Sequence, residues 1–205
     1  MPLDDQTQAP EEPDEVFIRR CREGDAESFG VLVERHQRRM FNLAYRMLSD
    51  REEAADAVQE AFIAAYRAIG TFRGESRFST WMTSIVLNHS RNRLESRGVK
   101  RCRECASIEE ASERGDQKVL RQLRSDSETG EEMLERKHIK RRVKECMDAL
   151  DGEHREVFVL RDMEGMSYEE ISSTLSLAGG TVKSRLFRAR LAMKDCLSDL
   201  VGAVQ

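Results

Sequence analysis

Apolar residues recur along most of this chain at steps of three and four, the spacing that gathers side chains on one face of an α-helix. After Gly24, one such face is marked by Phe29, Leu32, Val33, His36, Met40, Leu43 and Met47. Ser49-x-x-Glu52 reads as a capping box, in which a hydroxyl and a carboxylate satisfy the free amides at a helix start. Val58, Phe62, Ala65 and Ile69 then give the next inward stripe, up to a stop at Gly70. A third helix is predicted from about Arg77 to Arg97, with Phe78, Trp81 and Ile85 inward and Gly98 as its end. The period lapses over 99–130, where Ser and Glu rise, so that stretch reads as a linker. Helices follow over about 131–150 and Asp151–Glu164, the second closed by Gly165. A further capping box, Ser167-x-x-Glu170, opens a short helix over about 167–175 with Ile171 and Leu175 inward.

The last helix begins near Gly180-Thr181, after a turn through Ser176-Leu177-Ala178-Gly179. At about 100° per residue, Val182, Leu186, Ala189 and Met193 fall within about 40° of one another. The opposite face carries Lys183, Ser184, Phe187 and Arg188. Two short helices around a tight turn, the second basic on its outer face, describe a helix-turn-helix. All three prolines lie within the first thirteen residues, so nothing later carries the residue that breaks helices most strongly. The predicted fold class is all-α. It comprises an acidic disordered arm at 1–15, a helical domain at 16–98, a flexible linker at 99–130 and a helix-turn-helix domain at 131–200.

Charge changes the picture only when it is read by segment. The chain has 205 residues and a net charge of −4, an average that points away from nucleic acid. Yet residues 77–103 sum to +6 and residues 181–194 to +5, inside an otherwise acidic chain. The second island coincides with the outer face of the last helix. Lys183 and Arg188 can reach base edges or phosphates, Ser184 either, and Phe187 a thymine methyl, while Arg185, Arg190 and Lys194 flank that face and suit phosphates. The bland alternative is a helical hairpin with a solvated basic face.

The first island adjoins aromatics. Phe72, Arg73, Arg77, Phe78 and Trp81 interleave rings and guanidinium groups around Gly74, a pattern that suits single-stranded nucleic acid. Stacking there contributes roughly 1–3 kcal/mol per base. Phe72, placed in a loop before the helix, is the preferred stacking ring, and Asn88 and Asn92 lie one turn apart with Arg91, Arg93 and Arg97 nearby. Phe78 and Trp81 read equally well as core. On the second helix, Asp56, Gln59, Glu60, Ile63 and Arg67 form a polar face with an apolar residue inside it, which is either solvated or a protein-binding strip.

Five cysteines are an odd number, and the acidic start is unlike a secretory leader, so a reducing cytoplasm and free thiols are expected. The longest apolar runs, such as Ala61 to Tyr66, fall far short of the roughly 20 residues a membrane span needs. Cys102-x-x-Cys105 lacks a second pair at zinc spacing, although Cys21, Cys146, Cys196, His89 and His138 could converge on it. Inert thiols, with no metal and no cofactor, are the expectation; zinc binding or redox sensing is the alternative. No glycine-rich phosphate loop, His-Glu-x-x-His or nucleophile motif points to an enzyme.

Two long stretches together resemble a known family. Asp56-Ala57-Val58-Gln59-Glu60-Ala61-Phe62-Ile63-Ala64-Ala65-Tyr66-Arg67-Ala68, followed by Phe72-Arg73-Gly74 and Phe78-Ser79-Thr80-Trp81-Met82, is similar to region 2 of bacterial extracytoplasmic-function RNA polymerase sigma factors, sigma-70 family members of the sigma-E-like kind. Ser167-Tyr168-Glu169-Glu170-Ile171 with Gly180-Thr181-Val182-Lys183-Ser184-Arg185-Leu186-Phe187-Arg188-Ala189-Arg190 resembles region 4. The resemblance implies an alternative sigma factor whose Asp56, Gln59, Glu60 and Ile63 meet core RNA polymerase, with contacts to its beta-prime clamp and beta flap. It implies that Phe72, Arg73, Arg77, Phe78, Trp81, Asn88 and Asn92 engage a melted −10 element. It places Thr181, Lys183, Ser184, Arg185, Phe187, Arg188 and Arg190 at the −35 element, and it implies promoter DNA and an anti-sigma factor as further partners. The pattern departs from many relatives at Ser176, Ala178 and Gly179, where a glycine, a proline and a bulkier residue are common, so a more flexible turn is expected. The competing reading is a stand-alone helix-turn-helix regulator, which gives no role to the aromatic loop or the Asp56 face.

Overall fold

The structure, a computed structural model, describes residues 12–105 and 130–202. All regular elements among these residues are helical, as the spacing predicted, and the chain divides into two compact units, Met1–Arg93 and Leu94–Gln205.

In the first unit, α1 (Asp14–Arg22) packs on α2 (Ala26–Leu48), which in turn packs on α3 (Arg51–Ala68). A 3₁₀ turn, Ile69–Thr71, and a loop then lead to α4 (Phe78–Cys105). The core is built from Leu32, Met40, Leu43 and Met47 of α2, Met82 and Val86 of α4, and an alanine stripe on α3, Ala54, Ala57, Ala61 and Ala65. All of these are inaccessible to solvent. Four alanines on one face leave little side chain between helix axes, so α2 and α3 can approach closely. The stripe Val58, Phe62, Ala65 and Ile69 is buried as predicted.

Several sequence expectations shift. Helix α1 forms where an acidic arm was expected to reach Glu15, because Asp14 and Glu15 favour a helix N-terminus and Arg19, Arg20 and Arg22 its C-terminus. Asp14 also binds α2, accepting from Arg35 at 3.1 Å and pairing with His36 at 2.7 Å. Residues 1–11 of the arm and 106–129 of the linker lie outside the described residues. The cap of α3 is Asp50, accepting from the Glu53 amide at 3.0 Å, not Ser49; Ser49 instead closes α2 in a left-handed conformation. Gly70 sits inside the 3₁₀ turn rather than stopping α3. Helix α4 runs through Gly98 to Cys105, since a single helical glycine costs only about 1 kcal/mol. Its inward face is Phe78, Met82 and Val86, leaving Trp81 and Ile85 half-buried.

The second unit contains α5 (Gly130–Asp148), α6 (Gly152–Phe158), α7 (Tyr168–Leu175) and α8 (Gly179–Gly202). The single helix expected to Glu164 widens after Phe158 into a π-helical segment, Val159–Met163, in which the Glu164 amide reaches back to Val159. Gly165, at φ +72°, then turns the chain, and its left-handed conformation is one that glycine takes without the Cβ penalty. Val157, Val159, Leu160, Ile171, Val182, Leu186 and Ala189 make the centre of this core. Contrary to the expectation of free thiols, Cys146 of α5 and Cys196 of α8 are joined by a disulfide; Cys21 is buried and free. A pairing across 50 positions leaves no trace in local periodicity. The side chains of Cys102 and Cys105 lie outside the described residues. Among the described residues no helix is long and apolar enough to cross a membrane, and no group of His, Cys, Asp and Glu could hold a metal ion.

Candidate nucleic-acid and protein-binding surfaces

The helix-turn-helix takes the predicted form. Ser167 and Glu170 close the capping box in both directions, the Ser167 amide donating to Glu170 at 2.8 Å and the Glu170 amide to the Ser167 hydroxyl at 3.1 Å. Ser167 also lies beside Glu169, whose carboxyl is held below the usual range by its own backbone amide and then by that hydroxyl. Ser176 ends α7 at φ +54°, taking a left-handed conformation without a glycine. Leu177 then donates back to the Ser172 carbonyl at 3.0 Å, so the turn is fixed by backbone hydrogen bonds despite its departures from the family pattern.

Helix α8 has two unlike faces. Val182, Leu186, Ala189 and Met193 are buried against the domain, while Lys183, Ser184, Phe187 and Arg188 point outward. Phe187 is 69% exposed, an unusual state for a phenylalanine in a helix whose other face supplies the packing. Thr181 is half-buried at the helix start. Lys183 stands 5.9 Å from the Tyr168 ring, which also carries Arg161 at 4.9 Å, so the two helices of the motif share one aromatic support.

Two of the seven residues assigned to this face are paired with acids of the same domain. Arg185 is half-buried and pairs with Glu153 of α6 at 2.6 Å. Arg190 forms a two-point pair with Asp162 of the π-helical segment, with Nε to Oδ2 at 3.0 Å, and that hydrogen bond lifts its guanidinium above its ordinary value. Both therefore brace α8 against α6 and its continuation rather than extending from it. Sequence spacing alone could not separate these from Arg188, because the acids that claim them lie 28 and 32 positions upstream.

In the first unit, the loop between the 3₁₀ turn and α4 exposes Arg73, Gly74, Glu75, Ser76 and Arg77. Its two ends are pinned by rings: Phe72 lies 4.9 Å from Trp81 and 6.2 Å from Phe78, and Phe78 lies 5.8 Å from Trp81 and 5.2 Å from His36. Phe72 is buried, against the expectation of an exposed stacking ring; its neighbours Phe78 and Trp81 leave it more apolar contact than solvent offers. Gly74, at φ +77°, makes the bend at the loop's tip, where any side chain would be strained. Asn88 accepts from Arg91 at 3.3 Å, and both Asn88 and Asn92 are exposed on α4.

The polar strip of α3 is partly claimed as well. Arg93 of α4 donates to Glu60 at 2.7 Å and lies 3.6 Å from Asp56, while His89 lies 3.3 Å from Glu60. Both carboxylates remain more than half exposed. Gln59 and Ile63 face the other way, onto an apolar groove of about 1000 Å³ between α2 and α3, floored by Phe29, Phe62 and Val58 and rimmed by Phe41 and Tyr66. The sequence pattern did not reveal this groove; its signal was the apolar Phe41 and Tyr66, which lie outside the predicted stripes.

Residues 32–99 match the Sigma-70 region 2 family model and residues 140–193 match Sigma-70, region 4. The RNA polymerase sigma-H factor of Pseudomonas aeruginosa is 36% identical over 191 residues, spanning 93% of this chain and 97% of that protein. The ECF RNA polymerase sigma-E factor of Haemophilus influenzae is 35% identical over 188 residues, spanning 92% and 97%. Among solved structures, that of CnrH in complex with the cytosolic domain of CnrY superposes with a TM-score of 0.64 at 25% identity, covering 92% of this chain and 99% of that one. The sigma factor RpoE from Bartonella quintana, solved with the anti-sigma factor NepR, shares the fold with a TM-score of 0.65 at 21% identity, covering 84% and 98%.

Proposed function

The chain belongs to the sigma-70 family of RNA polymerase sigma factors, in its extracytoplasmic-function branch, and from that premise we propose how its residues divide the work. It is an alternative sigma factor for promoter-specific transcription initiation and not an enzyme, and the region 2 match weighs against a stand-alone regulator. Action on RNA polymerase fits a cytoplasmic protein.

Region 4 reads the −35 element with the outward face of α8. A helix enters the major groove with one face only, and the exposed groups on that face are Lys183, Ser184, Phe187 and Arg188. Thr181 lies at the end of the helix nearest the turn, where a hydroxyl suits a phosphate. Arg185 and Arg190 position the helix through Glu153 and Asp162.

Region 2 holds the melted −10 strand at the loop 73–77. Arg73 and Arg77 attract the phosphates, and Asn88 and Asn92 lie on the following helix. Phe72, Phe78 and Trp81 act from beneath, as the aromatic base that fixes the loop's shape, with the half-exposed edge of Trp81 the ring open to a base. Unpairing costs a few kcal/mol per base, so a loop already shaped for the strand favours the open state. Core polymerase, through its beta-prime clamp, docks along α3 at Asp56, Gln59, Glu60 and Ile63, where carboxylates adjoin the apolar groove; its beta flap takes region 4. An anti-sigma factor is the fitting regulator, as the sigma factor RpoE of Bartonella quintana, which shares this fold, was solved with the anti-sigma factor NepR.

The observation that carries this reading is the two-faced α8, with an exposed Phe187 between Lys183, Ser184 and Arg188 above a buried Val182–Leu186–Ala189 seam. Phe187→Ala tests it. The variant should fold as the parent does and lose use of promoters that depend on their −35 element, and unchanged use of such promoters would refute the assignment.

A further inference from the structure

Cys146 and Cys196 lie 50 positions apart and on different helices, yet α5 and α8 bring their Cα atoms to 5.8 Å. That lies inside the window of about 4.4–6.8 Å in which two cysteines bridge without backbone movement. Cys146 is 1% exposed and Cys196 is half-buried, so Cys196 is the more open residue of the pair. Cys21, in the other unit, is buried and has no disulfide partner among the described residues. We propose that Cys146 and Cys196 form a reversible thiol–disulfide pair, oxidised by hydroperoxides and reset by a dithiol, that governs how firmly α8 is held in its domain.

The chemistry follows from the unequal exposure of the two residues. The Cys196 thiolate attacks a peroxide oxygen and becomes a sulfenic acid, the O–O bond breaks, and the leaving oxygen departs as water after taking up a proton. The Cys146 sulfur then attacks the sulfenic sulfur and expels a second water. Two thiols and one hydrogen peroxide thus give one disulfide and two waters. A dithiol reverses the step by exchange, ending as its own cyclic disulfide. In a protein that acts on RNA polymerase, where thiols are kept reduced, such a pair is suited to a transient state rather than a permanent staple.

The consequence lies on one helix. Cys196 is eight positions past Arg188 on α8, so the half that presents Lys183, Phe187 and Arg188 is continuous with the half that is bridged. Without the bond, this end of α8 is held to α5 by side-chain packing and by the Arg142 guanidinium donating to the Cys196 carbonyl at 3.3 Å. With it, a long loop of chain is closed and the open states of the domain lose entropy. Only this functional consequence rests on the assignment of α8 to the −35 element.

The test uses the full chain, reduced with dithiothreitol and then treated with hydrogen peroxide. Peptide mapping should find Cys146 linked to Cys196, and the bridged protein should melt on the order of 10 °C higher in its region 4 transition. Cys196→Ser, a change at the half-buried partner, should keep the reduced melting point and abolish the shift. Thiols that stay free, links to other cysteines, equal melting in the two states, or a bridge that survives excess reduced glutathione would each overturn the proposal. Arg188→Gln should retain the redox shift while weakening promoter binding, so a failure of the −35 reading and a failure of the cysteine pair are told apart.

Discussion

If Arg188 meets DNA and Arg190 meets Asp162, the two arginines must differ in the salt dependence they confer, though they stand two positions apart. Each phosphate neutralised by a basic side chain steepens the fall of log affinity with log salt by about 0.9. Arg188 is exposed and has no ion-pair partner among the described residues, whereas Arg190 is held through Nε and Nη2 of one guanidinium edge to both carboxylate oxygens of Asp162. Arg188→Gln should therefore flatten the slope by up to about 0.9, which over about 50 to 200 mM salt amounts to roughly a 3.5-fold smaller loss of affinity. The double change Arg190→Gln with Asp162→Asn leaves the net charge of the protein as it was and removes a half-exposed pair whose contribution to stability is about 0–1 kcal/mol. It should keep the parental slope. The assay is fluorescence anisotropy of a labelled promoter duplex with reconstituted holoenzyme across a salt series. A double variant that flattens the slope as much as Arg188→Gln would show that Arg190 leaves Asp162 to reach phosphate, and would refute the division of the basic island into reading and bracing groups.

Other expectations follow from single sites. Phe72→Ala removes a buried ring that touches Phe78 and Trp81, so region 2 should lose about 3–5 kcal/mol in urea unfolding. Promoter melting followed by permanganate should fail with it, and an unchanged urea midpoint would return Phe72 to an exposed stacking role. Glu60→Lys places a cation against Arg93 and His89 and on the face offered to polymerase, so co-purification with core enzyme should be lost, while Glu60→Gln should keep the fold as judged by circular dichroism. Asp25 caps α2 by accepting from the Ser28 hydroxyl at 2.6 Å and the Glu27 amide at 3.0 Å, and these bonds, the hydroxyl first, hold its carboxyl below the usual value. A depressed carboxyl stabilises the fold above its unfolded value near pH 4 and loses that effect as pH falls through its folded value. Asp25→Ala should thus melt below the parent at neutral pH, and the gap should close in acid.

Much of this was legible because helices write their faces into local spacing. The seam Val182, Leu186, Ala189 and Met193 and the outward Lys183, Phe187 and Arg188 were predicted from period alone and stand so in α8. The capping box at Ser167 is equally local and is closed in both directions. What period could not carry was pairing across distance. Nothing near Arg190 names Asp162, nothing near Glu60 names Arg93, and nothing near Cys146 names Cys196, since each partner arrives from another helix. Local cues also misled where two candidates were adjacent. Ser49 and Asp50 both suit a cap, and the chain uses Asp50 while Ser49 closes the preceding helix. Phe72 precedes α4 and looked exposed for that reason, but the aromatics that follow give it a place to pack. The net charge of −4 misleads in the same way, because it sums over the basic islands instead of locating them.

The most direct test of the account is run-off transcription on fragments of the source genome with its own core polymerase, with and without this chain. The account predicts a discrete set of start sites that appear only when the chain is added. These sites should share one −35 and one −10 element and be lost when Lys183 and Arg188 are both replaced by Gln. Tight, specific binding of the chain alone to duplex DNA, with no polymerase start site that depends on it, would contradict the account.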